Sequence, residues 1–188
     1  MRTGTLPALA AGFAALLLAA CSTQRLTPIA TVAHVDLPRF MGKWYVIAAI
    51  PTFIDKNAYD AVESYRLRAD GTIGTTYTFR KGGFDGAVET LRPRGWVVDH
   101  ASNARWAMQF IWPIKAQYLI AYLSKDYGET IVARDARDYV WIMARTPAIS
   151  VGEYRRLRHI VATFGYDTSK LRLYPQRWPA PPIPAAPA

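Results

Sequence analysis

The chain has 188 residues, of which 51% are hydrophobic and 13% aromatic, and its formal net charge is +9. This size and composition favour one globular domain with a sizeable core and exclude two domains of ordinary size. A positive surface attracts anionic lipid or nucleic acid, but here the basic residues are scattered. The densest run, Arg155, Arg156, Arg158 and His159, is typical of the solvated face of a helix, and we predict no nucleic-acid partner.

Residues 1–20 have the features of an export signal. Arg2 supplies a positive start, and the apolar stretch "LPALAAGFAALLLAA" that follows is too short for a membrane span. It ends at Leu18-Ala19-Ala20-Cys21, which resembles a bacterial lipobox. Cleavage there leaves Cys21, the only cysteine, as an acylated N-terminus, and several acyl chains anchor a protein stably. Ser22 follows the cysteine, at the position where lipoproteins retained in the inner membrane often carry aspartate. By this resemblance the sequence predicts the outer membrane.

Composition divides the rest of the chain into three parts. Residues 21–35 have little periodicity and predict a lipidated tether, and residues 36–178 form the domain. The last residues, 179–188, are rich in proline and predict a disordered tail.

Short apolar or alternating runs follow one another through the domain. They are separated by turn sequences such as "ADGT" and "KGGFDG", and such short connections join antiparallel neighbours. The pair Asp70-Gly71 is the strongest hairpin signal, because a type I′ turn needs positive φ. The runs are 42–50, 59–68, 72–80, 87–98, 104–111, 117–124, 129–134 and 138–146. Eight such strands predict an up-and-down sheet, and periodicity alone leaves barrel and sandwich open.

One helix and a short strand follow the eight runs. Ser150 is a good N-cap with Glu153 three residues later, and Gly165 lies where a C-terminal glycine belongs. Apolar residues recur between them at helical spacing. The sequence therefore predicts a surface helix with one stripe on the sheet, followed by a last strand at 171–174.

Three motifs resemble the lipocalins. "GKWY" (42–45) is similar to their Gly-x-Trp motif, "RDYVWIMAR" (137–145) to their second and third motifs, and "GYDTSKL" (165–171) to the bacterial branch. The resemblance implies an all-β fold, an eight-stranded antiparallel up-and-down β-barrel with one C-terminal α-helix packed on it and a short final strand. It also implies that Trp44 closes one end of the barrel while Arg145 packs across its ring, a cation–π pair that does not touch the ligand.

Side-chain alternation predicts which residues line the interior. Counting by twos from Trp44 places Val46, Ala48 and Ile50 inward. The resemblance turns Ala61, Glu63, Tyr65 and Leu67 inward on the second strand, although a bulge would reverse that set. The other predicted inward residues are Trp106, Met108 and Phe110 on the fifth strand and Tyr118, Ile120 and Tyr122 on the sixth. A buried Glu63 must find a donor, hold a water or stay protonated.

The loop between the first two strands contains two apolar residues. Phe53 and Ile54 form either a lid over the open end or a simple surface loop.

The sequence offers little for catalysis or metal binding. His34, His100 and His159 are far apart in the pattern, and no Gly-x-Ser-x-Gly, phosphate loop or cysteine pair occurs. We predict no metal, no cofactor and no enzymatic activity.

Three functions remain open. The first is a carrier of fatty acids or lysophospholipids, anchored at the periplasmic side of the outer membrane. The second is a structural lipoprotein with a filled barrel that binds a protein partner. The third, an enzyme acting on lipid through Glu63, is the least favoured. Whether the chain is a monomer or a homodimer is not encoded in these patterns.

Overall fold

The structure is a computed structural model that describes residues 26–177. The predicted signal peptide, Cys21 and the Pro-rich tail lie outside the described residues. The elements, in chain order, are α1 (Leu37–Phe40), β1 (Gly42–Ile50), β2 (Ala58–Leu67), β3 (Ile73–Lys81), β4 (Val88–Leu91), β5 (Arg94–Val97), β6 (Arg105–Ile111), β7 (Ile114–Leu123), β8 (Glu129–Ala133), β9 (Val140–Ala144), α2 (Val151–Thr163), a 3₁₀ turn (Thr168–Lys170) and β10 (Arg172–Leu173).

The strands close into an antiparallel barrel. Successive strands pair around the sheet, and β9 returns to β1. β4 and β5 both pair with β3 and together take one place, so the barrel has eight strands. The predicted run 87–98 is divided at Arg92 and Pro93, because proline has no N–H to donate to a neighbouring strand. β10 lies outside the barrel and pairs with Ala48 and Ala49. The predicted eight-stranded barrel with its short final strand is confirmed.

The hairpin between β2 and β3 lies where the sequence predicts it, with a different turn. Arg68 N donates to Thr72 O at 2.8 Å, and Gly71 N donates to Arg68 O at 3.0 Å. Gly71 has a positive φ of 76° and Asp70 does not, whereas a type I′ turn needs positive φ at both central residues. Asp70 instead accepts hydrogen bonds from the backbone and side chain of Thr72, as aspartate commonly does in turns.

The helix α2 begins and ends at the predicted signals. Ser150 Oγ accepts a hydrogen bond from Glu153 N at 3.0 Å, and Gly165, just after the helix, has a φ of 85°. Leu157 and Val161 are fully buried against the outside of the barrel. The predicted surface helix packed on the barrel is therefore confirmed.

Buried apolar residues form two separate cores. The inner core lies within the barrel and includes Trp44, and the outer core lies between the barrel and α2 and includes Leu157. The buried members of both cores fall between Ile29 and Tyr174. A chain that starts at residue 22 therefore retains both cores.

A β-bulge in β1 changes which of its residues face inward. Val46 and Ala49 belong to the inner core, whereas Ala48 and Ile50 belong to the outer core. The pairing of β1 with β9 shifts between Val46 and Ala48, and the extra residue places Ile47 and Ala48 both on the outer side. The prediction that Ala48 and Ile50 line the interior is therefore wrong, because a period of two does not hold across a bulge.

Two further predicted inward positions are also wrong. The pairing of β7 with β8 shifts between Ile120 and Tyr122, and Tyr122 packs against the outer core. Its hydroxyl accepts a hydrogen bond from Arg156 Nη1 at 3.0 Å. Leu67, the last residue of β2, is exposed because the strand has passed the end of the barrel there.

The described part of the predicted tether is packed along the barrel. Ile29 is buried in the outer core and Val35 in the inner core. Val32 N donates to Ile120 O at 3.0 Å, and Thr27 O accepts from Arg137 Nη2 at 2.6 Å. Residues 26–35 thus belong to the folded unit, and their first residues lie beside the β8–β9 loop.

Candidate functional site

The two ends of the barrel differ in how they are closed. Because successive strands alternate in direction, the loops 51–57, 82–87, 112–113 and 134–139 share one end, which we call the open end. The loops 68–72, 98–104 and 124–128 lie at the closed end, together with α1.

Trp44 and Arg145 form the predicted cation–π pair at the closed end. Cζ of Arg145 lies 3.8 Å from the centroid of the Trp44 ring. The guanidinium also donates to the carbonyls of Arg39, Phe40 and Lys43 at distances of 2.7 to 3.0 Å. Burial lowers the pKa of Arg145 from its ordinary value. Arg145 therefore ties α1 to β1 across the end of the barrel.

An aromatic plug fills the closed half of the barrel. It consists of Phe40, Trp44, Tyr65, Trp106 and Tyr118. The centroid of the Phe40 ring lies 5.0 Å from Trp44 and 5.4 Å from Trp106, and Trp106 stacks on Tyr118 at 5.5 Å. The hydroxyls of Tyr65 and Tyr118 are hydrogen-bonded to each other. Such ring pairs stabilise a core beyond the area that they bury.

A cavity of about 340 Å³ lies above the aromatic plug. Its apolar wall includes Leu91, Met108, Phe110, Ile111, Ile114 and Trp141, and its polar groups include Thr52, Asp55, Glu63, Tyr77, Gln117, Arg134 and Tyr139. The cavity therefore combines an apolar wall with a few polar groups, as ligand sites commonly do.

The structure separates the predicted interior residues into two groups. Glu63, Met108, Phe110 and Tyr118 line the cavity. Val46, Ala61, Tyr65, Trp106 and Ile120 face inward as predicted, but they pack in the inner core and are not among the residues that line the cavity. The sequence analysis missed Tyr77, which continues the inward alternation of β3 from Ile73. The same period of two applied to that strand would have identified it.

The loop 51–57 forms part of the cavity wall and is held in place by Asp55. This carboxylate is buried and accepts hydrogen bonds from Thr52 N and Oγ1 at 2.8 and 2.7 Å. Tyr77 Oη donates to its second oxygen at 3.1 Å. Ile54 packs against the inner core, whereas Phe53 is 76% exposed. Of the two residues for which the sequence left a lid or a simple surface loop open, Ile54 is covered and Phe53 is exposed.

Glu63 lies at the floor of the cavity, where β2 pairs with Trp44 on one side and Tyr77 on the other. The residue is only 5% exposed, and its Oε1 is buried without a hydrogen-bond partner. Burial raises the pKa of Glu63 to about 7, with a smaller contribution from the Asp55 carboxylate, against a hydrogen bond from Tyr65 that lowers it. The floor therefore carries a buried carboxyl oxygen that can accept a hydrogen bond and does not receive one.

The mouth of the cavity carries basic side chains, in contrast to the carboxyl group at its floor. Arg134 follows β8 and lines the cavity, and its Nε is buried without a hydrogen-bond partner. Its Nη1 donates to Asp138 at 3.0 Å. Lys115 also lines the mouth, with Nζ 4.1 Å from the centroid of the Trp96 ring. The cavity thus runs from a carboxyl group at its floor to two cations at its mouth.

The described residues show no constellation for metal binding. Within residues 26–177, no three His, Cys, Asp or Glu side chains are close enough to hold a metal ion. None of the helices in this range has the length and apolarity needed to cross a membrane. The arrangement is suited to holding an amphiphile, with apolar wall contacts between two polar ends.

Comparisons with known proteins agree with this geometry. A family model described as a lipocalin-like domain matches residues 35–176. Temperature-induced lipocalin-1 of Arabidopsis thaliana is 31% identical over 168 residues, which cover 83% of this chain and 87% of the plant protein. Outer membrane lipoprotein Blc of Escherichia coli K12 is 28% identical over 171 residues, covering 88% of this chain and 93% of Blc.

Solved structures share the fold at low sequence identity. Insecticyanin from the tobacco hornworm Manduca sexta superposes with a TM-score of 0.62 and 14% identity, covering 79% of this chain and 85% of insecticyanin. This likeness concerns the barrel alone.

Proposed function

The chain belongs to the lipocalin family, and we propose that it is an outer-membrane carrier that holds a single-chain lipid, a fatty acid or lysophospholipid, in the cavity above the aromatic plug. As a lipocalin it binds small hydrophobic ligands. Several relatives are named outer membrane lipoproteins, which supports acylation of Cys21 and a periplasmic location for the barrel.

The observation that carries this proposal is the polarity of the cavity. Met108, Phe110 and Trp141 supply an apolar wall for an acyl chain. Arg134 Nε and Lys115 supply donors for an anionic headgroup at the mouth, and charge-assisted hydrogen bonds are the stronger kind. A volume of about 340 Å³ is at the low end of the roughly 300–1,000 Å³ typical of ligand pockets. It therefore favours one acyl chain over two.

The path of the N-terminal segment supports a mouth that faces the membrane. Thr27 contacts Arg137 in the β8–β9 loop, at the open end. Cys21 precedes Leu26 by five residues, and a chain of that length spans at most about 18 Å. Around the mouth lies an apolar rim, exposed by 54% to 82%, that consists of Phe53, Ile111, Trp112 and Ile114. An acylated Cys21 would therefore hold the apolar rim close to the bilayer surface.

The proposed role is binding without turnover. Among residues 26–177, those that line the cavity include no histidine, serine or cysteine, the side chains that most often act as nucleophile or as its activating base. Glu63 is surrounded instead by another carboxyl group and by tyrosine hydroxyls.

A binding titration with two matched variants tests the carrier function. The protein is a chain of residues 22–188, freed of bound lipid, and the readout is displacement of a fluorescent fatty acid by hexadecanoate and by lysophosphatidylglycerol. Phe110→Glu places a carboxylate on the half-buried cavity wall, and Gln109→Glu places the same group on the neighbouring residue, which is not among the residues that line the cavity.

The carrier function predicts saturable displacement by at least one of these lipids, with one site per chain. Phe110→Glu is expected to weaken binding at least about tenfold, because an anionic side chain repels the anionic ligand and takes up its volume. Gln109→Glu is expected to leave the affinity unchanged. Equal loss in both variants, or no saturable binding in the parent chain, contradicts the proposal.

A further inference from the structure

A fatty acid bound with its headgroup at the mouth satisfies only one end of the cavity. Its methyl end would lie against Glu63, whose Oε1 would stay without a hydrogen bond while the ligand excluded water from it. A buried polar atom that loses water and gains no partner costs free energy. The opposite orientation is worse, because it brings the ligand carboxylate toward the Asp55 carboxylate and away from Arg134 and Lys115.

The hydrogen bonds at the floor leave one acceptor, Glu63 Oε1, without a donor. The Tyr65 hydroxyl is shared between Tyr118 and the Glu63 carboxyl, and the Tyr77 hydroxyl is donated to Asp55. Glu63 Oε1 is the acceptor at the floor that no described side chain or backbone N–H satisfies. A carboxyl oxygen accepts a hydrogen bond in either protonation state of the group.

From this geometry we infer that the cavity is built for an anionic single-chain lipid whose chain carries a hydroxyl group, with the acid held at Arg134 and the hydroxyl donated to Glu63 Oε1. This inference rests on the proposed carrier function and names the ligand class within it. Glu63 is then the residue that determines specificity. A site built around a hydrogen bond discriminates strongly against a ligand that lacks the donor, because the buried acceptor is left unpaired.

Paired ligand series measure this preference directly. The first series is saturated fatty acids of about 10 to 16 carbons, and the second is the same acids with a hydroxyl on the terminal carbon. Both are titrated into the 22–188 chain by displacement of the same fluorescent probe. A terminal hydroxyl is expected to tighten binding about tenfold at the chain length that spans Arg134 and Glu63, the range expected when a buried acceptor that was left unsatisfied gains one hydrogen bond.

Two variants separate the role of Glu63 from general effects on folding. Glu63→Leu removes the acceptor, so the hydroxylated acids should lose their advantage while the plain acids bind at least as tightly as before. Glu63→Gln keeps a carbonyl acceptor at the same position, so it should retain a preference for the hydroxylated series. Fatty amines of the same lengths act as a second donor series. They carry a positive charge that favours the ionised form of Glu63, so they should prefer the parent chain over Glu63→Gln, which cannot ionise.

The results distinguish failure of this inference from failure of the carrier function. If both acid series bind the parent chain saturably and equally at all chain lengths, the chain is a lipid carrier and the role of Glu63 is refuted. A hydroxyl preference that survives in Glu63→Leu also refutes it. If neither series binds saturably, the carrier function fails, and this inference fails with it.

Discussion

Glu63→Gln should change how the stability of the protein depends on pH. Glu63 is buried, and its pKa is raised from 4.5 to about 7 in the folded protein, chiefly by burial. The folded state therefore binds its proton more tightly than the unfolded state does. For a group with a raised pKa, the contribution to stability is complete below pH 4.5 and is lost as pH rises through about 7.

The size of the effect follows from the two pKa values. Each tenfold difference in proton affinity corresponds to 1.36 kcal/mol, so the stability contributed by Glu63 should fall by about 2 to 3 kcal/mol between pH 5 and pH 8. Glutamine does not titrate. The free energy of unfolding of Glu63→Gln relative to the parent should therefore rise by that amount over the same range.

Urea unfolding monitored by tryptophan fluorescence at several pH values between 5 and 8 gives this difference. The other ionisable groups are common to both proteins and largely cancel in the comparison. Glu89→Gln, at an exposed position of β4, is the matched control and should show no such trend. A difference between Glu63→Gln and the parent that stays constant from pH 5 to pH 8 would refute the assignment of Glu63 as a buried, mostly protonated group.

Three other variants test the closed end, the outer core and the mouth. Arg145→Ala should lower the free energy of unfolding by about 2 to 4 kcal/mol, measured by urea unfolding, because it removes the cation–π pair and leaves backbone carbonyls unpaired; a change below about 0.5 kcal/mol would argue against this role. Leu157→Ala should cost about 2 to 5 kcal/mol by the same assay while leaving lipid affinity unchanged, and reduced affinity would contradict the separation of the two cores. The double change Phe53→Ser and Trp112→Ser should preserve stability and reduce sedimentation of the 22–188 chain with anionic vesicles, and undiminished sedimentation would show that the apolar rim does not contact lipid.

The elements of the barrel could be predicted because the signals for them are local. Strand runs bounded by turn residues, the Ser150 cap and the Gly165 terminus each act within a few residues of the chain. Trp44 and Arg145 could be paired only through the resemblance to a family, because they lie about a hundred residues apart and nothing in composition links them.

The direction of side chains in β1 and β7 could not be predicted, because a bulge is decided by the neighbouring strand. Val46, Ile47 and Ala48 include no glycine, proline or charged residue that would indicate a bulge. The register shift appears only in the pairing with β9. The same reasoning applies to Tyr122, which the shift between β7 and β8 turns toward Arg156.

The extent of the aromatic plug also depends on contacts across the barrel. The alternation pattern predicts that Tyr65, Trp106 and Tyr118 face inward, and they do. Whether large inward side chains fill the space or line it depends on what opposes them, and here Phe40 of α1 enters from the closed end. Nothing in the sequence of α1 indicated that contribution, which helps to fill the closed half of the barrel with side chains.

Native mass spectrometry of the 22–188 chain, exported to a bacterial periplasm and purified without detergent, tests the central claim most directly. The carrier function predicts a co-purified single-chain lipid at close to one per chain, identified by extraction and fragmentation, and its loss in Phe110→Glu but not in Gln109→Glu. A chain that carries no lipid and takes up no added fatty acid or lysophospholipid would contradict the claim, and the cavity above the aromatic plug would then not be a lipid site.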